Sequence, residues 1–190
     1  MKKMKWMVPA LAMTVIMAGC SKDDTPVTRT PVTAGLYVLN EGGWGKGNTT
    51  LTYYDFSTSK ASTDFYESVN GSKLGDTGND ILIYGSKLYI VMNVSSYVEV
   101  AEATTAKSIK KIEMTNGGND RQPRYAIPYK NKVLISSYDG TVAVLDTASL
   151  AIDQFITVGS NPEQMEIVGD KLYVANSGGL NFPVYDSTVS

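Results

Sequence analysis

Short apolar runs alternate with polar loops along the chain from residue 35 onward. Four of these runs share one pattern, five or six mostly apolar residues that end in a polar one: 36–40, 88–93, 133–137 and 172–176. Runs of this length, bounded by Gly, Asn and Asp, predict β-strands. The starts of the four runs lie 52, 45 and 39 residues apart, so the pattern indicates a repeated unit.

Each of the last three runs follows another apolar run and a two-residue turn, which predicts a tight hairpin. The turns are Gly85-Ser86, Lys130-Asn131 and Gly169-Asp170. Third strands are predicted at 51–56, 97–100 and 142–146, and fourth strands at 63–69, 108–114 and 152–158. Four short strands every ~40–50 residues predict an all-β fold built from β-propeller blades. A β-sandwich is the alternative, but it does not explain the repeated hairpin position.

The first residues have the layout of a secretory signal peptide. Three lysines in residues 1–5 precede an apolar run at 6–17, which is shorter than the ~20 residues that span a membrane. The segment that ends in Ala18-Gly19-Cys20 resembles the lipobox of bacterial lipoproteins. The resemblance implies that residues 1–19 are removed and that Cys20 carries lipid, with 20–34 as a Pro-containing tether. The alternative is a buried N-terminal helix with an incidental cysteine.

Composition excludes several kinds of chemistry. The chain of 190 residues has no histidine and one cysteine. It therefore has neither a Ser-His-Asp triad nor histidine metal ligands, and no internal disulfide. The net charge of −2, which becomes −5 when the three N-terminal lysines are removed, argues against nucleic acid as a partner. No motif indicates a metal site or a cofactor, and we expect no enzymatic activity.

Two further motifs carry a resemblance to a known family. Residues 158–162 (VGSNP) followed by 171–176 (KLYVAN) resemble the YVTN repeat of surface-layer-type β-propellers. Residues 21–24 (SKDD), unless they are simply a solvated linker, resemble the surface-export signal of Bacteroides-group lipoproteins, and the glycine-rich segments 40–45 and 176–181 are similar to the propeller lipoproteins of that group. These include the BtuG type. The resemblance implies an outer-membrane, lipid-anchored protein that faces the cell exterior. It further implies capture of cobalamin or another corrinoid for a TonB-dependent transporter.

The resemblance covers residues 35–190, and it also bears on chain length. In propellers of this type the innermost strand comes first in each blade, but blade one begins with its second strand, at residues 36–40. Residue 190 falls inside the third strand of blade four. About three and a half blades are therefore present, whereas closure takes ~4–8 blades and the family's usual number is seven. We expect the sequence to be a truncated fragment whose two terminal blades expose aggregation-prone flanks.

Long loops of this fold gather on one face, and they carry the candidate ligand-binding residues. These are Asn40, Trp44, Asn79, Asn93, Tyr97, Arg121, Arg124, Tyr138, Asp139, Asn161, Asn176, Phe182 and Tyr185. Aromatic rings with scattered amides suit a large ligand with a polar rim, such as a corrinoid or a glycan. For Asn40, Asn93 and Asn176 the alternative is a turn-capping role, and the two arginines are equally well explained as solvated side chains.

Two other functions stay open. A surface adhesion protein would bind glycans or proteins weakly and at many points. A lactonase-like propeller enzyme is disfavoured, because such sites often use histidine.

Overall fold

The computed structural model describes residues 33–190, which form one compact unit, Thr33–Ser190. Cys20, the predicted signal peptide and nearly all of the predicted tether lie outside the described residues. The strands are β1 (Gly35–Asn40), β2 (Thr50–Asp55), β3 (Lys60–Ser62), β4 (Gly78–Tyr84), β5 (Lys87–Met92), β6 (Tyr97–Glu102), β7 (Ser108–Glu113), β8 (Thr115–Asn116), β9 (Asn119–Asp120), β10 (Pro123–Tyr129), β11 (Lys132–Ser137), β12 (Thr141–Asp146), β13 (Ile152–Thr157), β14 (Pro162–Val168), β15 (Lys171–Asn176) and β16 (Thr188–Val189). One helix, α1 (Phe65–Asn70), follows β3.

The strands form four antiparallel sheets in chain order, together with the small hairpin β8–β9. Sheet I is β1-β2-β3, sheet II is β4-β5-β6-β7, sheet III is β10-β11-β12-β13 and sheet IV is β14-β15-β16. The predicted all-β architecture and the repeated hairpins are confirmed. Ring closure and the number of blades stay predictions.

The alternating directions of the side chains along the second strand of a sheet explain how the sheets stack. In β5, Leu88, Ile90 and Met92 pack towards sheet I, while Tyr89 and Val91 pack towards sheet III. All five are completely buried. Because successive side chains of a strand point to opposite faces, a strand between two sheets must be apolar on both sides. This explains the continuous apolar run that marks the repeat in the sequence.

Three apolar cores therefore lie between consecutive sheets. The core between sheets II and III includes Val98 and Val100 against Val133 and Ile135. The core between sheets III and IV includes Leu134 against Met165 and Val174. The first strand β10 lies between the first strands β4 and β14, and the three make one edge of the stack.

The predicted fourth strand of blade one, 63–69, is wrong. Residues 65–70 form helix α1 instead, and its Tyr66 is buried in the core between sheets I and II. Asn70 fixes the end of the helix, because its amide donates to the Tyr66 and Ala106 carbonyls and its oxygen accepts from the Ser108 amide. Two of these bonds connect the end of the helix to sheet II, at Ala106 before β7 and at Ser108 in β7. The hairpin β8–β9 was not predicted either.

Candidate functional site

The long loops predicted to share one face do lie together. We call this surface the loop face; it consists of residues 41–49, 71–77, 93–96, 114–122, 138–140, 158–161 and 177–187. Backbone bonds join neighbouring loops of the face, such as Thr49 N–H to the Gly75 carbonyl, Tyr138 N–H to the Gln122 carbonyl and Ser177 N–H to the Asn161 carbonyl. The loops are thus tied to one another as well as to their own strands.

Asp76 holds the loop at 41–49 in place. Its carboxylate accepts the backbone N–H groups of Gly45 at 3.1 Å and Gly47 at 3.2 Å. Asn48 closes the same loop by accepting the Gly43 N–H at 2.8 Å. Trp44 stands at the tip of this fixed loop with 81% of its surface exposed. The loop therefore presents a large aromatic ring to solvent without burying it in the core.

The loop at 177–187 presents a second exposed aromatic group. Phe182 is 81% exposed and Tyr185 57%, and their ring centroids lie 6.2 Å apart in an edge-to-face arrangement. Leu180 and Val184 on the same loop are exposed as well. Trp44, Phe182 and Tyr185 are the predicted site residues that a partner can reach most easily.

The asparagines of the predicted site hold one segment to another. Asn93 donates to the Pro123 carbonyl at 3.1 Å, Asn161 to the Tyr138 carbonyl at 3.0 Å and Asn79 to the Arg124 carbonyl at 2.6 Å. The amide nitrogens of the other two donate within their own sheet, while the Asn176 oxygen also accepts the Gly159 N–H, from the loop before β14, at 3.1 Å. The Asn40 amide donates to the hydroxyls of two threonines in β2, and Asn176 donates to the hydroxyls of Thr188 and Ser190.

Arg121 is buried and paired. Its guanidinium forms an ion pair with Asp139, donates through Nε to the Thr115 carbonyl at 3.1 Å and stacks 3.7 Å from the centroid of the Phe155 ring. The Asp139 carboxylate also accepts the Thr141 hydroxyl at 2.6 Å. Arg121 and Asp139 therefore satisfy each other.

Arg124 joins sheet III to sheet IV. Its Nε lies 2.9 Å and its Nη2 3.3 Å from the two carboxylate oxygens of Glu163. The Tyr138 hydroxyl donates to the same carboxylate at 2.5 Å, and the guanidinium lies 4.6 Å from the centre of the Tyr138 ring. Burial, with the bond to Glu163, raises the pKa of Tyr138 to about 12. The structure thus brings together two predicted residues and one carboxylate that was not predicted.

Tyr97 lies in the interior. Its ring is 6% exposed and its hydroxyl donates to the Leu74 carbonyl. Burial raises the pKa of this hydroxyl. Tyr97 therefore offers a ligand almost no surface and is not part of the exposed site.

An open cavity of about 480 Å³ lies where β4 and β10 meet the loop face. Its polar lining comes from Glu41, Asn79, Asp80, Arg124 and Tyr125. Glu41, Asp80, Tyr125 and Glu163 were not among the predicted site residues.

A repeated signal could have found most of them. The first strands begin with Gly78-Asn79-Asp80, Pro123-Arg124-Tyr125 and Pro162-Glu163-Gln164, so polar residues follow Gly or Pro at the same point of each repeat. The register of all three strands shifts at this point, by a bulge or similar irregularity. Such irregularities re-aim side chains.

Two further properties concern the described residues alone. Between residues 33 and 190, the His, Cys, Asp and Glu side chains form no group of three that could hold a metal ion. In the same part of the chain, no helix is long and apolar enough to cross a membrane.

Residues 34–186 match the model of a protein family described as a domain of unknown function, DUF5074. The chain belongs to this family. No curated protein matches the sequence. The family description states no activity, so it assigns none to the DUF5074 chain.

Solved structures show the fold of the DUF5074 chain. It is similar to BamB from Moraxella catarrhalis, with a TM-score of 0.55 and 14% identity over 77% of this chain and 38% of BamB. It is similar to the dihydro-heme d1 dehydrogenase NirN, with a TM-score of 0.57 and 13% identity over 75% of this chain and 30% of NirN. For the computationally designed Ika8 protein the TM-score is 0.56, with 12% identity over 76% of this chain and 41% of Ika8.

The chain thus spans well under half the length of each of these structures. BamB and NirN are β-propeller proteins, so the likeness supports a propeller-type stacking of the four sheets. At these identities the likeness concerns the fold alone.

Proposed function

We propose that this chain is a binding protein that captures a ligand on its loop face outside the cell. Cobalamin or another corrinoid is the first candidate, and a TonB-dependent transporter of the outer membrane is the proposed recipient. The observation that carries the proposal is the exposure of Trp44, Phe182 and Tyr185 on loops of one face. Exposed aromatic rings of this kind supply contact area at a small cost in side-chain entropy.

The fixed geometry of these loops supports binding rather than chemistry. Asp76 holds the Trp44 loop, and Asn161 accepts the Leu180 N–H at 3.3 Å and so ties down the second aromatic loop. A site that is already ordered loses little conformational entropy when a ligand binds. Arg121 on the face and Arg124 beside it in β10 are each paired with a carboxylate, and we propose no catalytic role for either pair.

The proposed location rests on the N-terminal sequence. Lipid on Cys20 would hold the protein in the outer membrane, facing the exterior, and residues 21–33 would act as the tether. Cys20→Ser should abolish lipidation and release the protein from the membrane fraction. Retention of the variant in that fraction would contradict the anchor.

A direct titration tests the proposed ligand. Trp44 is the only tryptophan in a protein that starts at Ser21, which keeps the whole compact unit Thr33–Ser190. Cyanocobalamin should bind this protein saturably by calorimetry and quench the Trp44 fluorescence. Trp44→Ala should raise the Kd at least about tenfold, because truncating an aromatic anchor costs about 2 kcal/mol or more and about 1.4 kcal/mol corresponds to a factor of ten.

Phe56→Ala is the matched control, since Phe56 is 49% exposed and lies in the β2–β3 turn, at the opposite end of the strands from the loop face. The control should leave the Kd unchanged. Absence of saturable binding by protein with an intact β-sheet circular dichroism signal would eliminate the corrinoid.

A protein or glycan partner is the second candidate. Leu180, Phe182, Val184 and Tyr185 form an exposed, mainly apolar group on one loop, which is the kind of surface that protein interfaces use. In that case Phe182→Ala, but not Phe56→Ala, should weaken attachment of the purified protein to cell-surface material, and cyanocobalamin should not compete.

A further inference from the structure

The cavity between β4 and β10 has a polar wall in which some hydrogen-bonding groups have partners within the protein and others do not. Asp80 is half-buried, and its two oxygens accept the Ile81 and Ala126 N–H groups, each at 2.9 Å. A carboxylate has about four lone-pair sites, so capacity for further donors remains. Glu41 also lines the cavity, and it is exposed. The wall therefore offers acceptors to a ligand that brings N–H groups.

The positive charge in the wall is already neutralised. Arg124 directs Nε and Nη2 at Glu163, on the side of β10 that faces sheet IV. Glu41 and Asp80 have no corresponding cation in the cavity lining, so the wall carries a net negative charge. An anionic group that entered would meet like charges while losing its own hydration, which is unfavourable. Burial raises the pKa of Asp80, which agrees with the lack of a cation beside it.

The other hydrogen-bonding groups of the cavity wall suit a planar, uncharged group of a ligand. The Tyr125 hydroxyl can donate to a carbonyl, and the side-chain oxygen of Asn79 can accept an N–H, because only the Asn79 nitrogen is engaged, with the Arg124 carbonyl. A volume of about 480 Å³ lies in the range of small-molecule sites.

We propose that this cavity binds an uncharged amide group of the ligand and rejects the corresponding carboxylate. The amide N–H faces Asp80 and Glu41, and the amide carbonyl accepts from Tyr125. This inference rests on the proposed function, because it names the group that the loop-face site recognises. An amide can come from the periphery of a corrinoid or from the N-acetyl group of a sugar, and the experiment separates these two sources.

The test uses two matched ligand pairs with the purified full chain in detergent. One pair is cyanocobalamin and its monocarboxylic derivative, in which a single peripheral amide is hydrolysed. The other is tri-N-acetylchitotriose and a derivative in which one acetamido group is replaced by a carboxymethyl group, so that the amide is lost and a carboxylate of similar size takes its place. In the pair that binds, the neutral ligand should have a Kd at least about tenfold lower than the acid.

Glu41→Gln should reduce this ratio to less than threefold by tightening binding of the acid, because it removes one of the like charges. Tyr125→Phe should weaken the neutral ligand and leave the Kd of the acid nearly unchanged. Glu166→Gln is the control, since Glu166 is an exposed carboxylate on β14 outside the cavity, and it should leave the ratio as it was.

The outcomes separate the inference from the proposed function. If neither corrinoid binds and the neutral sugar binds more tightly than its acid, the corrinoid is eliminated as the ligand and the amide site is retained. Equal Kd values for the amide and the acid, or failure of both neutral ligands to bind folded protein, would overturn the inference. An unchanged ratio in Glu41→Gln would remove Glu41 from the site and with it the electrostatic argument.

Discussion

Polar side chains on the loop face and at the strand ends beside it mainly hold neighbouring sheets and loops together. Asn93, Asn161 and Arg124 each bond to a neighbouring sheet or loop through a carbonyl or a carboxylate. A buried polar group costs free energy unless it is bonded, so these residues fix one relative position of the sheets. The side chains left free for a partner are the aromatic rings at the loop tips and the lining of the cavity.

Arg121 provides the clearest case of a stabilising pair. Arg121→Met keeps much of the apolar stem but leaves the Asp139 carboxylate without its cation and removes the cation contact on the Phe155 ring. The free energy of unfolding should fall by about 2–4 kcal/mol, as expected when one partner of a largely buried ion pair is lost. Urea denaturation measures this change in the free energy of unfolding.

Glu113→Gln is the control for Arg121, because the Lys111–Glu113 pair is solvent-exposed and should contribute less than about 1 kcal/mol. A loss for Arg121→Met no larger than that of the control would show that the Arg121–Asp139 pair is not stabilising.

Glu99 should make stability depend on pH. The residue is 3% exposed, and burial raises the pKa of its carboxyl above the usual value of 4.5, partly offset by bonds from Ser108 and Tyr66. The folded protein thus binds this proton more tightly than the unfolded chain does. The resulting stabilisation is present below the unfolded pKa and is lost as the pH rises through the folded one.

Glu99→Gln should therefore be more stable than the original protein at pH 7, with a smaller advantage near pH 4. Glutamine keeps an oxygen that accepts the Ser108 hydroxyl. Urea midpoints at the two pH values give the comparison, and Glu102→Gln, at an exposed position of the same strand, should show no such trend. An advantage that is constant with pH would contradict the assignment to Glu99.

At the scale of elements, helix α1 takes the place that the repeat gives to a fourth strand. Tyr66 is 5% exposed and packs with Leu51 and Leu74 between sheets I and II. Tyr66→Ala should lower the free energy of unfolding by about 3 kcal/mol, because truncating a buried aromatic ring leaves a cavity. Val69→Ala on the same helix is the control and should cost less than about 1 kcal/mol, since Val69 is 39% exposed. Equal effects would mean that the helix does not anchor sheet I.

Local pattern was enough to predict most strands but not this helix. Strands such as β5 and β11 are apolar on both faces, so their runs stand out at any register. In residues 65–70 the decisive feature is the set of Asn70 bonds to residues 106 and 108, nearly 40 positions away. Such a long-range contact leaves no local pattern in the sequence.

The candidate site was predictable to a similar degree. Loop length and the glycines located the loop face, and Trp44 and Phe182 are exposed there. The same reasoning placed Tyr97 and Arg121 on this face as well, with Arg121 equally well explained as a solvated side chain, yet both are buried, because exposure at these positions depends on the neighbouring sheet. Thr77, Gln122 and Asn161 share a left-handed φ just before the first strand of their sheets, a conformation that residue type alone does not reveal.

At the scale of the whole unit, the two terminal sheets expose faces that the inner sheets bury. Leu36 and Val38 of β1 hold the positions of Leu88 and Ile90 in β5, yet they are 41% and 43% exposed while the latter are fully buried. Tyr173 of β15 is equivalent to the buried Tyr89 and is 43% exposed. Where two sheets stack inside the unit, a face like that of Leu36 and Val38 packs against a face like that of Tyr173. The two outer faces of the described unit are therefore of the two kinds that pack together inside it.

Head-to-tail association of two copies should therefore occur in solution, with sheet IV of one chain on sheet I of the next. Sedimentation velocity of the protein that starts at Ser21 should show a mass that rises with concentration, and Val38→Lys or Tyr173→Lys should shift the association to at least about tenfold higher concentration. A lysine in the interface would lose hydration without a partner for its charge.

Ile109→Lys is the control, because Ile109 is similarly exposed but lies on the outer strand of sheet II. A monomer at every concentration, or an equal shift by the control, would show that the outer faces do not pair.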